Sequence, residues 1–96
     1  MGKNNTKKKH YVYILRCADD SLYTGYTTNV EKRVAEHNGH GDTSAARLVG
    51  AKYTRPRRPV RLVYSESFSN RSEAMQREYA IKQLTRPEKE LLIKVS

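Results

Sequence analysis

Hydrophobic and polar residues follow patterns that predict three strands along this chain. Residues 10–17 and 22–26 are rich in aromatic and β-branched types, and the stretch 19–21 between them consists of turn formers. The two segments therefore predict an antiparallel hairpin. Both alternating sets of side chains in the first segment are largely apolar, which is typical of a strand in the interior of its sheet. Residues 60–65 alternate with the same period of two and predict a third strand.

Helical periodicity and helix-end signals predict a helix after the hairpin and two more after the third strand. Thr28, followed by Glu31, predicts the N-terminal cap of the first helix, which should end near Gly39. Asn70 predicts the cap of the second helix, and Pro87 suits the first turn of the last one. The predicted fold class is α+β, with a small three-stranded antiparallel sheet flanked by helices in the order β-β-α-β-α-α.

The helical spacing also predicts which polar side chains point toward the sheet. Arg33 and His37 lie on the apolar stripe of the first helix and should face the hairpin. Their neighbours Lys32 and Glu36 should point elsewhere. Glu78 lies on the inward stripe of the second helix, whose other predicted members are Ala74, Met75, Tyr79 and Ile81. The predicted interior therefore contains polar groups where a small domain usually places aliphatic side chains.

The hairpin connection decides whether two of its tyrosines can act together. Four of the chain's seven tyrosines fall in the hairpin, among them Tyr13 and Tyr23. These two share a face only if the connection has an odd number of residues or a bulge intervenes, because side chains alternate along a strand. Gly25 inside the second strand predicts a bulge or the close approach of another group to the backbone.

The charge of the chain points to a polyanionic partner. Nineteen Lys and Arg against ten Asp and Glu give a net charge of +9 over 96 residues. An anionic membrane surface is the less favoured partner, because no amphipathic helix is free of core contacts and no long apolar run occurs. Six cations between positions 43 and 65, where no acidic residue occurs, predict a phosphate-contact surface, with a solvated loop as the alternative. They are Arg47, Lys52, Arg55, Arg57, Arg58 and Arg61.

The two ends of the chain differ in composition, and this predicts the domain organisation. Residues 1–9 are polar and basic and predict a disordered tail, which serves either as a loose phosphate-binding arm or as a solubilising segment. Residues 10–96 predict a single domain. The tail lacks the apolar region of a signal peptide, and the single cysteine, Cys17, cannot form an internal disulfide. These features predict a cytoplasmic location.

Five unlike polar residues at predicted inward positions suit the hydrolysis of a phosphodiester: Tyr13, Tyr23, Arg33, His37 and Glu78. A carboxylate can hold one Mg²⁺ ion, which keeps most of its water ligands and binds a phosphate oxygen. An arginine can clamp the phosphate and stabilise the charge of the transition state. A water nucleophile needs a base, and a tyrosine or a histidine can serve. No zinc-type spacing and no phosphate-cradling glycine loop occur.

In order and spacing these residues resemble the motifs of the GIY-YIG nuclease superfamily, and most closely its small stand-alone bacterial branch. The matching motifs, over about residues 10–84, are Tyr11-Val12-Tyr13, Tyr23-Thr24-Gly25, Arg33 with His37, and Glu78. The resemblance implies a three-stranded antiparallel sheet flanked by helices. It also implies a nuclease that depends on a single metal ion, Mg²⁺ or Mn²⁺.

The resemblance assigns a role to each of the five residues. Tyr23 would act as the general base or assist it, and Tyr13 would help to orient the water or the metal. Arg33 would contact the scissile phosphate, and Glu78 would ligate the ion. His37 matches a histidine that some members place near the leaving group or the base.

Each residue also has a purely structural interpretation. Tyr13 and Tyr23 can be core aromatics with solvated hydroxyls, and His37 can be a cation favoured by the dipole at a helix C-terminus. Arg33 can pair with a nearby carboxylate, and Glu78 can pair with the lysine four residues later.

The residues and the resemblance together predict a metal-dependent endonuclease that hydrolyses DNA in repair or recombination. DNA is favoured over RNA as the partner, and a protein partner is a further possibility. The alternative is a non-catalytic basic module that binds nucleic acid and retains the nuclease scaffold. A third interpretation is a protein–protein adaptor whose charge is incidental. Cleavage and salt-sensitive binding of DNA distinguish the three.

Overall fold

The structure is a computed structural model that describes residues 8–39 and 51–95. Its elements are β1 (His10–Arg16), β2 (Leu22–Thr27), α1 (Val30–His37), α2 (Ala51–Thr54), β3 (Arg61–Phe68), α3 (Arg71–Lys82) and α4 (Arg86–Val95). A short 3₁₀ turn, Arg55–Arg57, follows α2. The predicted disordered tail lies almost entirely outside the described residues. None of the helices in the described ranges is long and apolar enough to cross a membrane.

The three strands form one antiparallel sheet in the order β2-β1-β3, which confirms the predicted α+β class. The first strand is central, as its apolar residues on both faces indicated. Both of its faces are buried, because Val12, Tyr13, Ile14 and Leu15 are at most 1% exposed. β2 and β3 are therefore the two edges of the sheet.

Helices cover the two faces of the sheet and enclose two hydrophobic clusters. On one face, side chains of β1 and β3 pack against α3, with part of α4 beyond it; the buried members are Val12, Ile14, Tyr64, Ala74 and Ile81. On the opposite face Tyr13, Leu15, Cys17 and Val60 form the second cluster, against which Val34 of α1 packs. Tyr23 also packs against this second, smaller cluster, of which Tyr13 is a member.

The hairpin connection has the odd length that the tyrosine pair requires. Arg16 pairs with Leu22, so five residues, 17–21, connect the strands. The Cys17 amide donates to the Ser21 carbonyl and the Asp20 amide donates to the Cys17 carbonyl, both at 2.9 Å. Asp20 adopts a φ of 70°, a left-handed conformation that aspartate tolerates better than most residues.

This register places both tyrosines on the same face of the sheet. Tyr13 pairs with Gly25, and Leu15 pairs with Tyr23. Because side chains two residues apart share a face, Tyr13 and Tyr23 project to the same side. The odd length of the connection therefore meets the requirement that the two tyrosines share a face. The irregularity in the sheet lies between β1 and β3 instead.

Several helix details differ from the predicted ones. The cap of α1 is Asn29 rather than Thr28, since the Asn29 side chain accepts from the Lys32 amide. Asn70 caps α3 as predicted. Tyr79, predicted to face inward, is 68% exposed, because α3 turns that side to solvent.

Candidate active site

Four of the five predicted catalytic and metal-binding side chains line one open cleft of about 820 Å³ beside the edge strand β2: Tyr13, Tyr23, Arg33 and Glu78. The cleft lies between α1 and α3, which contribute most of the other lining residues. These others are Tyr26, Thr27, Thr28, Asn29, Lys32, Glu36, Arg71, Met75 and Lys82. Packing of α1 and α3 along the two sides of β2 therefore brings together residues that are far apart in the sequence.

Tyr13 reaches the cleft from the central strand by crossing Gly25. The two residues are cross-strand partners, and the tyrosine ring leans over the glycine. A Cβ atom at position 25 would lie 2.5 Å from the Tyr13 hydroxyl oxygen, much closer than van der Waals contact. The predicted close approach of another group to the backbone at Gly25 is confirmed, and that group is the Tyr13 side chain.

His37 lies behind Tyr13 and does not line the cleft. Its Nε2 atom is 2.9 Å from the Tyr13 hydroxyl oxygen, and its Nδ1 atom is 2.9 Å from Thr54 Oγ1. Burial, together with the positive charges of Arg33 and Arg58, lowers the pKa of His37 to about 4. The histidine is therefore neutral at pH 7, and the interpretation as a helix-end cation is wrong.

Tyr23 is partly exposed and forms part of an aromatic row. Its ring centroid lies 5.2 Å from that of His37 and 5.7 Å from that of Tyr53. Burial raises the pKa of the Tyr23 hydroxyl, while Arg33 lowers it and Glu78 raises it, with a net rise. A free tyrosine is ionised in only about one molecule in a thousand at pH 7. A role as general base therefore requires additional positive charge near the hydroxyl.

Arg33 is held by an ion pair within α1. Its Nη1 atom lies 3.2 Å from Glu36 Oε1, and both side chains are largely buried. The positive charge of Arg33 also opposes the burial that raises the pKa of the Tyr13 hydroxyl. The prediction that Glu36 and Lys32 point elsewhere is wrong, because both line the cleft. The cleft therefore includes more of α1 than its apolar stripe indicated.

Glu78 presents a partly buried carboxylate to the cleft. Its side chain is 13% exposed, and its Oε2 atom lies 3.2 Å from Lys82 Nζ. The ion pair with Lys82, which was the structural interpretation of Glu78, is present, and the residue also lines the cleft. Its negative charge raises the pKa of Tyr13 and of Tyr23, which shows that the carboxylate is within electrostatic range of both hydroxyls.

These residues fit a metal ion held by one protein carboxylate. Residues 8–39 and 51–95 contain no group of three or more His, Cys, Asp or Glu side chains that could hold a metal. Mg²⁺ does not need such a cage, because it commonly binds one or two carboxylates and keeps several waters. Glu78 can supply that carboxylate, in competition with Lys82.

The six predicted phosphate-contact residues divide into two groups, apart from Arg47, which lies outside the described residues. Arg57 is held by contacts with other residues. It forms an ion pair with Asp19, and its Cζ atom lies 4.1 Å from the Tyr53 ring centroid. Arg58 Nε donates to the His37 carbonyl oxygen at 2.6 Å. The exposed residues are Lys52, Arg55 and Arg61. None of the described five lines the cleft.

Several residues in or next to the site were not predicted from the sequence. Thr54 lies in a segment without periodicity, and only the fold places it against His37. Tyr26 lines the cleft and shares a hydrogen bond of 2.8 Å with His10. Arg71 lies over the Tyr26 ring at 5.7 Å. A search for cations in the first turn of α3 would have found Arg71, whereas Thr54 has no local pattern.

The fold and the cleft define a small α+β domain with a tyrosine, arginine and glutamate site. The sequence model of the GIY-YIG catalytic domain matches residues 9–91, so the chain belongs to that family of nucleases. Within it, the chain is similar to the UPF0213 protein of Staphylococcus haemolyticus, with 60% identity over 81 residues, 84% of this chain and 89% of that protein. The UPF0213 protein of Natronomonas pharaonis is 60% identical over 84 residues, 88% of this chain and 89% of that protein.

Two solved structures have the same fold. The solution NMR structure of a UPF0213 protein from Bacillus halodurans has 48% identity and a TM-score of 0.56, and the match covers 92% of this chain and 85% of that one. The solution NMR structure of a protein from E. faecalis has 48% identity and a TM-score of 0.59, with 93% and 86% covered.

Proposed function

We propose that this protein is a metal-dependent endonuclease that hydrolyses DNA phosphodiester bonds in the cleft between α1 and α3. The observation that carries the proposal is the convergence of Tyr13, Tyr23, Arg33 and Glu78 on that cleft. Two hydroxyls, a guanidinium and a carboxylate supply the groups that phosphodiester hydrolysis needs. Membership of a nuclease family supports the same conclusion.

Glu78 is the residue proposed to hold a single Mg²⁺ or Mn²⁺ ion. A bound ion of this kind polarises a phosphate oxygen and favours deprotonation of water and of nearby hydroxyls. Burial raises the pKa of the Tyr23 hydroxyl, so this group needs a nearby positive charge in order to lose its proton. An ion held by Glu78 would supply that charge. Lys82 has to release the carboxylate, and its exposed side chain can rotate toward solvent.

Arg33 and the tyrosines have distinct proposed roles. Arg33, held by Glu36, donates hydrogen bonds to the scissile phosphate and stabilises the charge that develops in the transition state. Tyr23, at the exposed wall of the cleft, takes the proton of the attacking water or assists its removal. Tyr13, whose hydroxyl is fixed by His37, orients that water.

A plasmid-nicking assay tests the active-site assignment. With Mg²⁺ or Mn²⁺ present, we expect Tyr23→Phe and Glu78→Gln each to lower the rate by about 100-fold or more, the usual contribution of an acid–base or metal-binding group. Glu73→Gln, which removes the same charge from an exposed position of α3, is the matched control and should cleave as the wild type does. Nicking that persists unchanged in both cleft variants would contradict the assignment.

The same assay distinguishes the alternatives. DNA that is bound in a salt-sensitive way but never cut would favour the non-catalytic binding module. No binding even at low salt would favour the protein–protein adaptor. Removal of divalent ions by a chelator should abolish cleavage by the wild type, since only one protein carboxylate is proposed to hold the ion.

Cations around the cleft are proposed to contact the DNA backbone. Lys32 and Arg71 are exposed and line opposite walls of the cleft, on α1 and α3. The exposed members of the six-cation set, Lys52, Arg55 and Arg61, extend the positive surface beyond it. Arg57 and Arg58 contribute less, because their guanidinium groups already bind protein oxygens.

The salt dependence of DNA binding tests this assignment of phosphate-binding cations. We expect Lys32→Ala with Arg71→Ala, and separately Lys52→Ala with Arg61→Ala, to reduce the slope of log Kd against log salt by about two, since each removed cation leaves one phosphate without its neutralising partner. Lys89→Ala with Lys94→Ala removes the same charge from α4 and should change the slope little. Equal slopes in all three double variants would show that net charge alone governs binding.

A further inference from the structure

A chain of hydrogen bonds leads from the cleft into the buried layer beneath α1. The Tyr13 hydroxyl oxygen lies 2.9 Å from His37 Nε2, and His37 Nδ1 lies 2.9 Å from Thr54 Oγ1. Tyr13 and His37 are 1% exposed and Thr54 is 0% exposed. Because His37 and Thr54 are shielded from bulk water, their side chains share protons with protein partners, and only Tyr13 also borders the cleft.

Arg33 sets the direction of the chain. Its positive charge lies in the same cleft as Tyr13 and opposes the rise in the Tyr13 pKa that burial causes. A cation near a hydroxyl favours a lone pair of the oxygen on its own side and the proton on the other side. The Tyr13 hydroxyl then donates its hydrogen bond to His37, and the Nε2 atom is the acceptor. A neutral imidazole carries a single proton, which must therefore lie on Nδ1 and be donated to Thr54 Oγ1.

We propose that Thr54 and His37 are positioning residues: Thr54 holds His37 in the Nδ1–H tautomer, and His37 keeps the Tyr13 proton turned away from the cleft. Tyr13 then offers only acceptor capacity to the cleft, where it receives a hydrogen bond from the attacking water. The catalytic consequence rests on the proposed nuclease function. The arrangement of protons does not depend on that function and can be measured by itself.

His37 has a positioning role rather than a role as a proton store. Burial, with the charges of Arg33 and Arg58, lowers its pKa to about 4. At pH 7 only about one imidazole in a thousand is then protonated, so transfer of the water proton to His37 is strongly disfavoured. The imidazole acts as an acceptor of fixed direction.

The segment that contains Thr54 holds His37 at two points. Thr54 bonds to the imidazole, and Arg58 Nε donates to the backbone carbonyl oxygen of His37 at 2.6 Å. Asn38, the next residue along the chain, is fixed by the residue that precedes β3, since the Val60 amide donates to its side chain at 2.7 Å. Thr54, Arg58 and Val60 therefore position the C-terminal end of α1, and His37 with it.

The ¹⁵N NMR signals of the histidine side chains test the tautomer directly. The chain has three histidines, so the His37 signals can be assigned with single variants. Near pH 7 we expect wild-type His37 to be protonated on Nδ1 and unprotonated on Nε2. Thr54→Val removes the acceptor with little change of shape, and we expect it to populate the Nε2–H tautomer. Thr54→Ser keeps the hydroxyl and should retain the wild-type spectrum.

Kinetics test the consequence for the reaction. We expect Thr54→Val to lower kcat about tenfold, the equivalent of one hydrogen bond, with KM for DNA unchanged. Thr54→Ser should restore the rate, which a general loss of packing would not permit.

Two spectra would overturn the proposal. One is a wild-type His37 protonated on Nε2, because the Tyr13 proton would then face the cleft. The other is a folded Thr54→Val protein whose His37 tautomer is unchanged. If Thr54→Val does not fold, the wild-type and Thr54→Ser spectra still decide the tautomer. Failure of the proposed nuclease function appears separately, as a wild-type protein that cuts no DNA.

Discussion

At the residue scale, the shape of the cleft depends on the missing side chain of Gly25. The Tyr13 ring occupies the space in which a side chain at position 25 would lie, and the Tyr13 Cζ atom would be 2.6 Å from a Cβ carbon placed there. The ring has little freedom to move aside, because it is buried and its hydroxyl is bonded to His37. A glycine on the edge strand is thus what allows a side chain of the central strand to reach the cleft.

Gly25→Ala should therefore disturb both stability and the site. We expect the free energy of unfolding to fall by about 1–3 kcal/mol, the usual cost of overpacking, and DNA nicking to fall with it. Urea denaturation measures the first effect and the nicking assay the second. The matched control is the same substitution in a Tyr13→Leu background, where no ring opposes the methyl group. An equal loss of stability in both backgrounds would contradict the clash.

Residue types were the most predictable aspect of the site. The sequence led to Tyr13, Tyr23, Arg33 and Glu78 as polar groups on inward positions, and all four line the cleft. Their protonation states were not predictable, because they depend on burial and on neighbours from other elements. The shift in the pKa of His37 to about 4 is an example, since it arises from burial and from charges placed nearby by the fold.

At the scale of elements, α1 begins one residue later than its capping pattern predicted. The Asn29 side chain accepts from the Lys32 amide at 3.1 Å, and the Thr27 hydroxyl accepts from the Asn29 amide at the same distance. Two consecutive candidates, Thr28 and Asn29, were available, and the end of β2 decided between them. Asparagine is also the stronger cap of the two types.

Substitution of the two candidate caps should separate their effects. We expect Asn29→Ala to lower the free energy of unfolding by about 0.5–2 kcal/mol, because one amide at the start of the helix loses its acceptor. Thr28→Ala at the neighbouring exposed position should change it by less than about 0.5 kcal/mol. Chemical denaturation monitored by circular dichroism gives both values. A larger loss of stability in the Thr28 variant would indicate that Thr28 is the cap, as the sequence predicted.

At the scale of the whole molecule, a network of four charges joins α4 to the hairpin connection. Arg16 binds Glu90 with two hydrogen bonds, of 2.7 and 3.0 Å, and also pairs with Asp20. Arg86 pairs with the same two carboxylates, at 2.9 Å and 3.2 Å. The last helix is thereby tied to the sheet by ion pairs in addition to the apolar contacts of Leu92.

This network predicts a loss of stability in acid. Hydrogen bonds from Arg16, with those from Arg86, lower the pKa of Glu90 to about 2 from a usual value of 4.5. A carboxyl group whose pKa is lower in the folded state stabilises the fold above its unfolded pKa, and this contribution is lost as the pH falls toward the folded value. Glu90 should therefore contribute fully near neutral pH and progressively less below about pH 4.5.

Thermal unfolding as a function of pH tests this contribution. We expect Glu90→Gln to have a lower Tm than the wild type near pH 7, and the difference to shrink as the pH approaches about 2. Glu73→Gln removes an equal charge from an exposed position on α3 and serves as the control. A Tm difference that stays constant over the acid range would mean that Glu90 acts through packing rather than through its charge.

The sequence by itself determined the class of fold, the three strands, the helix starts at Asn70 and near Pro87, and the residue types of the site. These follow from local periodicity and turn chemistry, which act over a few residues. The condition that Tyr13 and Tyr23 share a face was also a local inference, and the five-residue connection meets it.

Only the tertiary structure decided how those residues act together. It placed Glu78 and Arg33 on the same cleft, brought Glu36 and Lys32 into it, and set Thr54 against His37. Each of these relations depends on how helices pack on opposite faces of the sheet. Packing angles and depths arise from side-chain contacts between segments distant in the chain. No local pattern encodes them, so the hydrogen-bond partners of the site had to be found in the fold.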